Sequence, residues 1–117
     1  MKKDPKVYLE EIIESIDRIE EYIKGMNYEN LEENQAIQDA VMRRLQIIAE
    51  AAKIIDESIK TTNSHIPWAK INGLRNVIVH NYDEVDLKAI WDTIMIDLPK
   101  TKDDFVKLKD AFNQSFL

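Results

Sequence analysis

Two stripes of branched aliphatic residues do most to limit what this chain can become. Leu9, Ile12, Ile16, Ile19 and Ile23 recur at alternating steps of three and four, and Ile37, Val41, Leu45, Ile48, Ala52, Ile55 and Ile59 repeat the rhythm further on. That spacing follows the helical period of roughly 3.6 residues, so each set occupies one face of a helix. An apolar helical face is stable only against another such face, which makes a packed helical bundle the natural solution. Little interrupts it, since the 117 residues include two glycines and three prolines. Charged residues make up 32% of the chain and supply the solvated outer faces that long helices require.

The local signals divide the chain further. Asp4 as N-cap and Pro5 as first helical residue open a first helix, which Gly25 closes after Lys24 as a left-handed cap. The polar stretch MNYENLEEN admits one short helical turn around Leu31. A second helix is expected from about residue 34 to about residue 61. TTNSHIP then breaks the pattern, because its proline disfavours helical geometry at Ile66. A third helix, starting near Pro67, carries Trp68, Ile71, Leu74 and Ile78. Asp86 is placed to N-cap a fourth, with Leu87, Ile90, Trp91, Ile94 and Met95 as its apolar face. Pro99 either begins a fifth helix, containing Phe105, Leu108 and Phe112, or kinks the fourth. No repeat or second domain is visible, so the reading is a single all-α domain over residues 1–117, an antiparallel bundle of four to five helices.

Several chemistries can be set aside. There is no cysteine, so no disulfide, thiolate nucleophile or zinc–thiolate cluster is available. His65 and His80 are preceded at three residues by Thr62 and Val77, not by the glutamate of a di-iron bundle, and no metal site is expected. Gly25 and Gly73 are isolated, which excludes a glycine-rich phosphate loop, and no G-x-S-x-G elbow is present. The pairs Glu10-Glu11, Glu20-Glu21 and Glu32-Glu33 fall on polar faces, and His65 sits in a turn as a surface or hinge residue. MKKDPKVYLEEII lacks the unbroken apolar run of a signal peptide or membrane span, so a cytoplasmic protein without a membrane partner is expected. A net charge of -6 and a pI near 4.9 repel nucleic acid at long range, so any nucleic acid would have to meet a local basic cleft.

The residues that resist this reading lie in LRNVIVHNY, residues 74–82. Arg75 and Tyr82 are seven apart and project to roughly the same side of an ideal helix, at about 100° per residue, whereas His80 points well away from the arginine. The three converge only if the helix widens, bends or ends near His80. One reading makes Arg75 a surface ion-pair partner, His80 a residue favoured at a helix C-terminus and Tyr82 a lid on the core. The other makes them a site.

Arg75-x4-His80-x-Tyr82 resembles the R-x4-H-x-Y motif of the HepT ribonuclease toxins of the HEPN superfamily, which are encoded beside minimal nucleotidyltransferase antitoxins. YLEEIIESIDRIEEYIKG, QDAVMRRLQIIAEAAK, IPWAKINGLRNVIVHNY and VDLKAIWDTIMIDLP follow in the order and spacing of that family, over nearly the whole chain. The resemblance implies a HEPN-type bundle that forms a homodimer, with the motifs of both subunits at one cleft, and metal-independent cleavage of RNA without a cofactor. Arg75 and His80 would be catalytic. Tyr82 would orient the substrate and receive AMP from the nucleotidyltransferase partner. Arg43 and Asn81 are candidate auxiliary phosphate ligands, and Arg44, Lys53 and Lys70 could add positive charge to the groove. Arg43 could equally pair with Asp39, four residues before it. A second reading from the same resemblance is a non-catalytic HEPN module that binds a nucleotide or regulates a nucleotidyltransferase.

The residue types suit the chemistry. Metal-free RNA cleavage uses the 2′-hydroxyl as nucleophile, so the protein must take one proton, stabilise a phosphorane-like charge and protonate the departing 5′-oxygen. A histidine, with an ordinary pKa of about 6.5, can serve as base or acid, and an arginine offers a permanently charged planar fork to phosphate. One chain holds a single motif histidine, and a two-fold dimer would bring a second to the cleft.

Overall fold

The computed structural model describes residues 4–80 and 86–114, with the helical backbone alone described for 76–80 and 114. Seven α-helical segments and one π-helical turn make up the described chain: α1 (Pro5–Tyr22), α2 (Tyr28–Glu32), α3 (Gln35–Ile54), α4 (Glu57–Thr62), α5 (Trp68–His80), α6 (Leu87–Asp92), the π-turn (Thr93–Asp97) and α7 (Leu98–Gln114). No strand occurs among the described residues. The fold is the all-α bundle that the apolar stripes demand.

Local chemistry explains the boundaries. The Asp4 side chain accepts from the Lys6 amide at 2.9 Å, satisfying a donor that the first turn of α1 leaves open, and Pro5 occupies the first helical turn. Gly25 has φ of 77°, where an L side chain would be strained, and it turns the chain out of α1. Asn27 and Asn30 cap α2 reciprocally, at 3.0 and 2.8 Å. Asn34 accepts from Ile37 to start α3, and Asp86 accepts from Ala89 to start α6.

Two boundaries differ from the sequence reading. The long second helix is two helices, because Ile55 takes an extended conformation (φ −60°, ψ 135°) and Asp56 follows in the same region before α4 begins. The apolar rhythm hides this break: Ile55 is buried and Ile59 still packs against the same core from α4. At the other end, Pro99 lies in the first turn of α7, which carries Phe105, Leu108 and Phe112 as expected, but no break precedes that helix. α6 and α7 run together through the π-turn, in which the Leu98 amide donates to the Thr93 carbonyl five residues back. A proline ring clashes with the carbonyl four residues before it in a regular helix, and the wide turn just ahead of Pro99 relieves that clash. The expected apolar face of the fourth helix therefore stops at Ile94 and resumes at Leu98. Met95, expected in that face, is 47% exposed and its neighbour Ile96 57% exposed.

The core forms where α1 packs on α3 and α7, and α3 on α5. Leu9, Ile12, Ile16 and Ile19 of α1 are fully buried against Val41, Leu45 and Ile48 of α3 and Phe105 of α7. Lys102 of α7 adds a polar clasp to α1, with its Nζ 2.6 Å from Asp17 and 3.6 Å from Glu20. The Asp17 carboxylate that accepts from it, helped by Glu20 and opposed by partial burial, holds the ammonium above the ordinary lysine range. The far end of the molecule is tied by Tyr28 of α2, whose ring meets Trp91 of α6 edge-on at 6.5 Å with the Lys88 ammonium 5.2 Å from its centroid.

The start of α5 is set by Trp68. Its ring meets Phe105 edge-on, with centroids 5.5 Å apart and planes at 80°, and its indole N–H donates to the Asn63 carbonyl at 3.0 Å. Phe105 is completely buried. Truncation to alanine opens a cavity beneath Trp68 as well as between α1 and α7, so Phe105→Ala should lower stability by about 3–5 kcal/mol in urea unfolding. Phe105→Leu should recover most of that loss.

Candidate active site

Helix α5 carries the candidate site, and its sequence shows why it lies where it does. Ile66 is buried at the turn before it and Ile71 is buried on its inner face, so the helix is pinned at its first turns by apolar contacts and by Trp68. After α3 the chain passes through only the short α4 and a turn before α5 packs back on α3. A short connection of this kind favours an antiparallel return.

Arg75 stands in the middle of α5, exposed, with no ion pair or hydrogen bond to another described residue. An exposed planar guanidinium that no described residue engages is available to an oxyanion ligand. From Arg75 to His80 the backbone is α-helical throughout. The five-residue step between them is thus not absorbed by a π-turn, and the two positions lie about 140° apart around the axis. The side chain of His80 lies outside the described residues, as do Asn81 and Tyr82 entirely. After them the described chain resumes at Asp86, which caps α6, and Trp91 of that helix meets Tyr28.

Arg43 lies on α3, the helix against which α5 packs. It is exposed and donates from Nη1 to Gln46 Oε1 at 3.4 Å, and Gln46 donates in turn to Glu50 at 3.2 Å. Asp39 accepts from Gln35 at 2.9 Å. Arg43 and Arg75 are thus presented by neighbouring helices. Lys70 and Lys53 are exposed and Arg44 is partly buried.

His65, taken from sequence as a surface or hinge residue, is exposed in the turn before α5. It also lines a cavity of about 600 Å³ between the first half of α5 and the π-turn with α7. Sequence reading passed over this cavity because its lining comes from segments far apart in the chain, and only the isolated Gly73 hinted at it. Among the described residues no group of three histidine or acidic side chains is arranged to hold a metal ion. No described helix is long and apolar enough to cross a membrane.

The all-α bundle is of the HEPN type, and the R-x4-H sequence lies on its helix α5. The sequence model of one family, described as "Ribonuclease HepT-like", matches residues 12–108, and the chain belongs to that family. It is 38% identical over 109 residues to the "Probable ribonuclease HepT" of Thermococcus cleftensis, covering 93% of this chain and 99% of that one. It is 37% identical over 107 residues to "Putative RNase MJ1216" of Methanocaldococcus jannaschii, covering 92% and 88% of the two chains. A third relative, the "Gamma-glutamylcyclotransferase and putative RNase MJ0434" of the same organism, is 36% identical over 115 residues. That match takes in 98% of this chain, which spans only 52% of the relative's length. No solved structure matches the chain.

An exposed arginine without a partner among the described residues is expected to add little to folding. Arg75→Ala should leave the unfolding free energy within about 0.5 kcal/mol of the parent protein. A larger loss in denaturant titration would show that Arg75 is a structural ion-pair residue instead.

Proposed function

We propose that this chain is the toxin of a HEPN/MNT toxin–antitoxin pair, a cytoplasmic endoribonuclease that cleaves RNA without a metal ion or other cofactor. The observation that carries the reading is the exposed Arg75, which has no ion pair among the described residues, five helical residues before His80, in a chain of the HepT-like ribonuclease family.

The helix geometry bears on how the two residues work. Positions about 140° apart on a straight helix do not readily meet one phosphate from the same chain. In a two-fold homodimer with α5 near the axis, Arg75 of one copy faces His80 of the other. One histidine then takes the 2′-hydroxyl proton as the 2′-oxygen attacks phosphorus. The arginines stabilise the charge that builds on the non-bridging oxygens, and the second histidine protonates the departing 5′-oxygen. The products are a 2′,3′-cyclic phosphate and a 5′-hydroxyl. Arg43, and Asn81 beside the histidine, hold flanking phosphates, a local attraction that offsets the repulsion from a net charge of -6.

Tyr82 is the control point. Its hydroxyl attacks the α-phosphorus of ATP bound to the minimal nucleotidyltransferase antitoxin, pyrophosphate leaves, and the tyrosine retains AMP. The adduct adds bulk and negative charge where substrate phosphate would bind, so it blocks the cleft both sterically and electrostatically.

Purified unmodified protein should cut RNA in the presence of EDTA, with cyclic phosphate ends. His80→Ala and Arg75→Ala should each reduce the rate by a factor of about 100 or more. Activity that persists in both variants would assign the cleavage to a contaminant, and no cleavage of any RNA with retained antitoxin binding would favour a non-catalytic module. After co-expression with a partner nucleotidyltransferase, mass spectrometry should locate AMP on Tyr82. An adduct confined to another residue would refute the control mechanism.

A further inference from the structure

The cavity beside α5 has properties that the cleavage reaction does not use. Gly73 lies in its wall, in the interior of a helix, where glycine is less favourable than alanine by about 1 kcal/mol. Its φ is not positive, and a Cβ built on it meets no atom within 4 Å. Neither backbone conformation nor close packing within the described chain accounts for a glycine there. What the missing side chain provides is room in the cavity.

The rest of the lining is of three kinds. Ile71, Leu74 and Leu98 give an apolar surface. Lys70 from α5 and Lys100 from α7 both line it, and neither forms an ion pair with a described residue although Asp97 and Asp104 line the same cavity. The π-turn, a geometry often found at functional sites, forms one edge through Thr93 and Asp97. The volume of about 600 Å³ lies within the range of small-molecule sites, roughly 300–1,000 Å³. An apolar lining with two ammonium groups outside any ion pair among the described residues, and with carboxylates that can accept N–H donors, suits a nucleotide, whose base has apolar faces and N–H donors and whose phosphate is anionic.

We propose that this cavity binds one nucleotide unit. The phosphate lies between Lys70 and Lys100, the base lies over Ile71 and Leu74 in the space left by Gly73, and an aspartate accepts from the base or ribose. Arg75 follows Leu74 by one residue and projects about 100° around the helix from it, so the site is separate from the Arg75 face while sharing its helix. The nucleotide is either a unit of an RNA strand lying across α5 or a free mononucleotide. Binding requires no cleavage, and if the occupant belongs to a strand the inference deepens the ribonuclease reading above.

The test measures binding of two probes to the full chain by fluorescence anisotropy and calorimetry: a short 2′-O-methylated oligoribonucleotide, which cannot be cleaved, and AMP. Gly73→Leu fills the cavity with a better helix former, so it should fold at least as stably as the parent. That variant and the double variant Lys70→Ala/Lys100→Ala should weaken at least one probe by about tenfold or more. Loss confined to the oligoribonucleotide identifies a strand subsite, and loss of AMP binding identifies a free-nucleotide pocket. Lys107→Ala, an exposed lysine of α7 that does not line the cavity, should change neither by more than about twofold. His80→Ala should retain the cavity's binding while losing cleavage, which separates failure of this inference from failure of the cleavage reading. Unchanged binding of both probes in the folded cavity variants would overturn the proposal, as would a Gly73→Leu protein altered only in oligomeric state.

Discussion

The edge-on contact of Trp68 with Phe105 is the constraint on which the functional face depends. A helix held only by apolar packing can rotate or slide by a fraction of a turn at modest cost, and every side chain it displays turns with it. Trp68 limits both motions at once, because its ring is seated on a fully buried phenylalanine while its indole N–H is committed to the Asn63 carbonyl. The Lys60 ammonium, 5.8 Å from the ring centroid, adds a third attachment. With its first residue fixed in this way, the phase of α5 is set for Lys70, Gly73, Arg75 and His80 together.

A second consequence concerns charge. The molecule is acidic overall, yet α1 carries much of that acidity on its outer face, where Lys102 already compensates Asp17 and Glu20. On α5 and the adjoining surfaces, Arg75, Lys70 and Lys100 are left without carboxylate partners among the described residues. An anion approaching Arg75, or the cavity that Lys70 and Lys100 line, meets cations outside any ion pair among the described residues, within the distance over which salt does not screen them, about 8 Å at physiological ionic strength. Net charge therefore describes the molecule's long-range field poorly suited to RNA, while the local arrangement runs the other way.

Much of the fold was legible from residues alone, for reasons that differ by element. The stripes of α1 and α3, the Asp4 and Asp86 caps and the left-handed Gly25 are local features, and each carries its own signal. The break at Ile55 and Asp56 was not legible, because Ile59 continues the apolar spacing across it and the sequence contains no proline or glycine to mark it. Met95 was misplaced for a related reason: a single extra residue in a wide turn leaves no trace in a hydrophobic pattern. The motif residues Arg75, His80 and Tyr82 stood out by spacing and resemblance, whereas the cavity did not, since its walls come from the turn at His65, from α5 and from the π-turn with α7. Three-dimensional assembly from distant segments is what one sequence encodes least openly.

The π-turn before Pro99 has an implication for how this chain tolerates change in length. A π-turn accommodates one residue more than an α-turn while the helix on either side keeps its phase. Trp91 ahead of it and Phe105 behind it both reach the core, so the surplus residue is absorbed entirely in the outward bulge that exposes Met95 and Ile96. Deleting one residue there and replacing the proline with alanine would return a plain helix with both aromatic anchors at their present phase. What would change is the wide turn whose Thr93 and Asp97 edge the cavity. In this last helix the shape of the surface and the stability of the core are therefore written in separable parts of the sequence, and one can vary without the other.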